Sequence, residues 1–209
     1  MHNRRQFSQL AIAAGLGAAL PAQAQIAGLK EGSDYLRLQR PAPLDSKAGQ
    51  IEVLEFFAYT CIHCYNFEPL LTAWMAKKPA NVVVRRTPVA FSPAMEPLQR
   101  LYYALEAMGR VGALHEKVFR AIHVDKVRIA TPESIADWVA KQGIDRTQFN
   151  QFYNSFGVAG KAKRATQLQD AYQVEGTPAL GVAGRFYISG QGPRTLAVAD
   201  ALIAELRKT

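Results

Sequence analysis

The chain has 209 residues, with 49% hydrophobic, 10% aromatic and 20% charged side chains. That composition is near the globular average, excludes a disordered, collagen-like or low-complexity polypeptide, and suits one large domain or one domain carrying an insertion. Lys and Arg outnumber Asp and Glu by 25 to 17, for a formal charge of +8, yet the cations fall in short clusters: Lys77-Lys78, Arg85-Arg86, Lys161 with Lys163-Arg164, and Arg207-Lys208. Lacking the dense basic and aromatic interleaving of a nucleic-acid groove, these read as solvated surface, and no nucleic-acid partner is expected.

Residues 1–24 read as an export signal. Arg4 and Arg5 form a positive start, Phe7 to Leu20 a weakly apolar stretch too short to span a bilayer, and Ala22-Gln23-Ala24 a small-residue cleavage site. Arg4-Arg5-Gln6-Phe7 also fits a twin-arginine signal, and paired arginines are common in ordinary secretory signals, so both routes stay open. Either route leads beyond the cytoplasmic membrane, where disulfides persist.

No internal repeat of 20 to 50 residues is present. Ile51 to Phe57, rich in aromatic and branched residues, predicts a buried strand. A helix opens at the cysteines that follow, with Phe67, Leu70, Leu71, Trp74 and Met75 as its apolar stripe and Pro69 as an internal kink. Asn81 to Thr87 predicts a second strand ended by Pro88. Helical spacing then governs Pro97 to Met108, Gly112 to Ile122, Pro132 to Gln142 and Arg146 to Phe156, with caps at Thr131 and Asp145 and stops at Gly109 and Gly143. Gly157 to Tyr172 continues helical. Ala179 to Ala183 and Phe186 to Ser189 form a hairpin turning at Gly184-Arg185, and Leu196 to Lys208 closes the chain as an amphipathic helix.

The chemistry centres on Cys61-Ile62-His63-Cys64. These are the only cysteines, too few and too close together to staple a fold. Placed between a buried strand and a helix, a C-x-x-C reads as a redox pair. Unpaired N–H groups and the positive end of the helix dipole stabilise a thiolate at Cys61, so its pKa is expected to fall. Cys64, one turn further in, is the more sheltered, resolving sulfur, and Cys61 is the attacking and leaving one. Protonated His63 would add positive charge beside the Cys61 thiolate. Structural zinc needs four ligands, and the second pair is missing: His115 and His123 stand at the wrong spacing and read as surface or hydrogen-bonded core residues. Glu55, in an apolar strand six residues before Cys61, is a candidate buried carboxyl with a raised pKa that relays a proton to or from Cys64. Glu68 reads as a surface residue outside the site.

Glu55-Phe56-Phe57, Cys61-Ile62-His63-Cys64-Tyr65, Phe67-Glu68-Pro69 and Gly176-Thr177-Pro178 together resemble the thioredoxin superfamily, and within it the DsbA-type periplasmic thiol oxidases, over nearly the whole chain after residue 24. The resemblance implies an α/β thioredoxin-like fold from residues 25–89 and 160–209, interrupted by an all-helical domain at residues 90–159, with the redox site where the two meet. It implies a disulfide donor acting on unfolded or partly folded exported proteins through a mixed disulfide at Cys61, reoxidised by a membrane partner of the DsbB type, with the Cys61–Cys64 disulfide in place of any cofactor or metal. Pro178 resembles the family's cis-proline, with Thr177 beside it offering backbone groups to an extended substrate, and the insertion is expected to wall the substrate groove. The chain departs from the family at Ile62, where proline is usual, and at Thr177, where the best-known member has valine; both positions tune the potential, and Ile62 joins the candidate substrate-facing residues. A reductase or isomerase remains the alternative within this chemistry, but such relatives usually bring a dimerisation domain and Ile26 to Leu44 is too short for one, so a monomeric oxidase is expected. A peptide-binding chaperone with incidental cysteines is the alternative outside it.

Overall fold

The computed structural model describes Ile26 and residues 28–208, so the expected export segment lies outside the described residues. Along the chain run β1 (Leu36–Arg37), β2 (Ile51–Phe57), α1 (Ile62–Met75), β3 (Val82–Pro88), α2 (Glu96–Ala107), α3 (Val111–His123), α4 (Pro132–Lys141), α5 (Arg146–Tyr153), α6 (Phe156–Ala171), β4 (Ala179–Val182), β5 (Phe186–Ser189) and α7 (Pro193–Leu206). The strands form one sheet in the order β1-β5-β4-β2-β3. β2 and β3 are parallel and joined through α1, while β4 runs antiparallel to β2, and β5 to β4.

Alternation along β2 assigns its side chains to two faces. Val53 packs with Phe67 and Leu71 of α1 and with Ala199, Leu202 and Ile203 of α7. Leu54 and Phe56 turn to the other face, against Leu168 and Tyr172 at the C-terminal end of α6. Gly181 of β4 makes that contact possible, because a Cβ there would lie 2.4 Å from the Tyr172 ring. A third core joins α2 to α6 through Leu101, Leu105, Phe119, Ile135 and Phe149, and it takes in Phe57, Tyr59 and Cys64. This is a thioredoxin-like sheet with a helical insertion, and the reactive pair sits where the sheet end meets the helical core.

Several elements differ from expectation. The two-residue β1, paired Leu36 to Tyr187 and Arg37 to Phe186, is too short to leave a periodic signal. The helical stretch expected to run from Arg146 through Tyr172 is divided, because Ser155 takes an extended conformation and its side chain accepts from the Val158 N–H to cap α6. α6 is continuous from there to Ala171, so residues 159 and 160 lie within one helix. α7 starts at Pro193, ahead of Leu196, with proline in its first turn where no N–H is needed. On α1 the buried stripe is Cys64, Phe67, Glu68 and Leu71; Leu70 is 39% exposed, because that side of the helix opens on a groove.

Candidate active site

The strand-to-helix transition determines how Cys61 is presented. The Cys61 N–H donates to the Ala58 carbonyl at 3.0 Å, ending the strand in a turn, and Cys61 then caps α1 from an extended conformation with φ −86° and ψ 113°. Its Sγ accepts from the Cys64 N–H at 3.3 Å and, as a thiol, donates to the Thr177 carbonyl at 3.3 Å. Both cysteines are free thiols. The hydrogen bond from the Cys64 thiol draws the Cys61 pKa down to about 5 against the opposing effect of burial, helped by the Thr177 side chain and by the Cys64 and His63 N–H groups. Such a group is ionised roughly a hundredfold over its protonated form at pH 7. That same bond, together with burial, pushes Cys64 the other way; its side chain is fully buried. One sulfur is thus an accessible thiolate and the other a sheltered thiol.

Beside Cys61 lies a groove of about 740 Å³. His63, Phe67 and Leu70 of α1 form one side, Gly176 to Pro178 the floor, and Gly32 to Leu36 the far wall. The Thr177–Pro178 peptide bond is cis. Ile62 is 46% exposed next to Cys61 and is not among the residues that line the groove. Gly190 backs the loop: a Cβ there would stand 2.4 Å from the Pro178 carbonyl oxygen. The far wall is tied down by Asp34, which accepts from the Lys30 N–H at 2.8 Å and pairs with Arg194 of α7. No residue of the helical insertion lines this groove among the described residues; Gly32 to Leu36 of the N-terminal segment do.

Between α1 and strands β2 and β3 is a buried ionic network that the sequence did not reveal. Glu55 is 1% exposed, and burial raises its pKa to about 8 despite Arg86, whose Nε lies 3.1 Å away. The strand register places Arg86 of β3 directly opposite Glu55 of β2. Arg86 also pairs with Glu68. Two expectations are thereby corrected. Glu68 is not a surface residue but 8% exposed, because it follows Cys64 by one turn on the inward face of α1. Arg86 is not part of a solvated basic cluster, because its strand position aims it between two carboxylates. Burial pushes the Glu68 pKa up, but hydrogen bonds from His115 and Thr72 and the charge of Arg86 hold it below its ordinary value. His115 is buried, and that burial lowers its pKa. Its Nε2 lies 3.3 Å from Glu68 Oε2 and its Nδ1 2.8 Å from Tyr59 Oη. The carboxylate therefore fixes the tautomer: Nε2–H donates to Glu68, and Tyr59 donates its hydroxyl proton to Nδ1. His115 is thus a hydrogen-bonded core residue, as expected, but one wired to the site.

Among the described residues no three His, Cys, Asp or Glu side chains are grouped to hold a metal ion, and no helix is long and apolar enough to cross a membrane. A C-x-x-C dithiol capping a helix, opposite a Thr–cis-Pro loop in a thioredoxin-like sheet, defines a thiol-disulfide exchange protein. The comparisons narrow the class. Residues 87–199 match the DSBA-like thioredoxin domain family. A Bordetella pertussis protein named thiol:disulfide interchange protein DsbA is 41% identical, covering 97% of this chain and 98% of its own, and a Pseudomonas aeruginosa protein of the same name is 39% identical over 99% and 98%. A crystal structure of a Pseudomonas aeruginosa DsbA variant superposes with a TM-score of 0.83 at 37% identity, covering 87% of this chain and all of that one. The chain belongs to the DSBA-like thioredoxin domain family and is an oxidoreductase of thiols and disulfides whose redox group is its own cysteine pair.

Proposed function

We propose that the chain donates its Cys61–Cys64 disulfide to newly exported proteins in the periplasm. A substrate thiolate attacks Cys61 Sγ; the Cys61–Cys64 bond breaks, its electron pair leaves on Cys64 Sγ, and a mixed disulfide forms at Cys61. A second substrate thiolate attacks the substrate sulfur of that mixed disulfide and expels the Cys61 thiolate. The substrate loses two electrons and gains a disulfide, the chain is left reduced, and a membrane partner of the DsbB type takes the electrons on.

The observation that carries this reading is the opposed character of the two sulfurs. A Cys61 thiolate with a pKa of about 5 is a stable leaving group, which favours the reduced form and makes the disulfide an oxidant. The leaving Cys64 sulfur, which prefers its proton, draws it from Glu55, the buried carboxyl still protonated at pH 7. His63, lining the groove, adds positive charge beside the thiolate when protonated. The extended substrate pairs with the Thr177 backbone and packs on Pro178 and on the exposed Ile62.

Oxidation of a dithiol peptide to its cyclic disulfide tests this. The oxidised protein converts the peptide stoichiometrically, and Cys61→Ser and Cys64→Ser, neither of which holds a disulfide to give, convert none. Peptide capture that survives in Cys61→Ser while the unmodified protein oxidises nothing would favour the chaperone instead.

A further inference from the structure

The helical insertion leaves the groove to other segments, yet three residues of α3 meet the reactive loop. His115, Phe119 and His123 recur every four positions and so share one face of the helix. That face is set against the segment from Tyr59 to Tyr65. The His123 Nε2 lies 2.8 Å from the Tyr59 carbonyl; a carbonyl only accepts, so this nitrogen carries a proton and donates. The His123 ring also stacks on Tyr65 of α1, 15° from parallel with centroids 5.6 Å apart. Two turns earlier His115 Nδ1 takes the Tyr59 hydroxyl, and Phe119 between them packs edge-on against the Tyr59 ring at 5.0 Å. One residue, two before Cys61, is thus held at its main chain by one histidine and at its side chain by another.

We propose that α3 is a strut that positions the reactive loop, with His123 as its principal positioning residue. Tyr59 is the second residue past the end of β2, and the turn it occupies is the one whose Ala58 carbonyl receives the Cys61 N–H. Fixing the Tyr59 peptide fixes that turn, and the turn sets Cys61 at the cap where its sulfur meets the Cys64 N–H at 3.3 Å. A Tyr59 carbonyl without its donor is free to rotate, and the cap geometry loosens with it. The insertion then contributes to the chemistry by holding the thiolate in register, without touching the sulfur or the substrate.

The experiment compares three substitutions at this half-buried helix end: His123→Leu, which removes the donor; His123→Asn, whose amide stops short of the carbonyl; and His123→Gln, whose amide nitrogen reaches roughly where Nε2 stood. Two readouts are taken on each: thiolate absorbance of Cys61 against pH, and the equilibrium of the pair with glutathione. The strut predicts that Leu and Asn raise the Cys61 pKa by about 0.5 to 1, shift the glutathione equilibrium against the reduced form by roughly three- to tenfold, and that Gln restores both. Tyr59→Phe, which releases the His115 arm, shifts both in the same direction by a smaller factor. The inference rests on exchange at Cys61 but fails separately from it. If Leu and Asn lower the stability of oxidised and reduced forms alike while the titration and the equilibrium stay put, His123 is structural only. If Gln is as perturbed as Leu, the ring stack and not the hydrogen bond does the holding, and the proposal is overturned.

Discussion

Replacing Glu55 by glutamine should remove a pH dependence that its burial builds into the fold. The carboxyl is 1% exposed and its pKa is raised from 4.5 to about 8. An acid whose folded pKa is raised keeps its proton in the folded protein while the unfolded chain ionises, so stability is highest below about pH 4.5 and falls as pH rises toward 8. From these two values the fall between pH 5 and pH 7 is about 2–3 kcal/mol, at 1.36 kcal/mol for each tenfold change in protonation ratio. The Glu55→Gln side chain mimics the protonated form and does not titrate, and Arg86 keeps Glu68 as its partner. The assay is urea unfolding of the oxidised protein at pH 5, 6, 7 and 8, since no thiol titrates in that form. Burial, Arg86 and Glu68 shift Glu55, and neither sulfur contributes, so the dependence should persist after oxidation. The variant should show a flatter profile and be the more stable protein at pH 7. Parallel profiles for the two proteins would refute the assignment of Glu55 as a buried, protonated carboxyl.

Arg86→Met leaves Glu55 and Glu68 facing each other without their cation and should cost about 3–5 kcal/mol, with the greater loss at pH 8 than at pH 5 in chemical unfolding; a loss under 1 kcal/mol would contradict the network. Alkylation of the reduced protein by iodoacetamide should follow Cys61 ionisation, with a midpoint near pH 5 and a plateau by pH 7, while mass spectrometry finds Cys64 unmodified; a midpoint near 8 or 9 would contradict the cap. Gly190→Ala places a methyl 2.4 Å from the Pro178 carbonyl oxygen and should slow peptide oxidation by roughly an order of magnitude or more, at a pathway step where a misplacement of about 1 Å is felt. Gly181→Ala, against the Tyr172 ring at 2.4 Å, should instead destabilise by about 1–3 kcal/mol and leave the activity of the folded fraction unchanged.

The reactive cysteines and their strand-to-helix setting were legible because that signal is local: a seven-residue, mostly apolar strand, a turn, and a C-x-x-C opening a helix stripe. The hairpin and most helix starts were legible for the same reason, since caps such as Thr131 and Asp145 act on N–H groups three residues away. Glu68 was also within reach. Cys64, Phe67, Glu68 and Leu71 follow the spacing of one helix face, so position outweighs residue type in placing Glu68 inward. Arg86 was not within reach, because its pairing with Glu55 depends on a register between strands 31 residues apart that neither strand states alone. His115 and His123 were hidden likewise, since their partner Tyr59 lies 56 and 64 residues away. Most of the groove wall, Gly32 to Asp34, is a turn held by Asp34 and Arg194, separated by 160 positions, and such short segments carry no period to detect.

The most direct test of the whole account is the equilibrium of Cys61–Cys64 in the purified protein against glutathione buffers, with unfolding of the oxidised and reduced forms followed in parallel. A cap that holds Cys61 as a thiolate predicts a potential well above the roughly −270 mV of thioredoxin, and a reduced form more stable than the oxidised one at pH 7. A thioredoxin-like potential with the oxidised form the more stable would contradict the disulfide-donor reading and assign the chain to reduction or isomerisation.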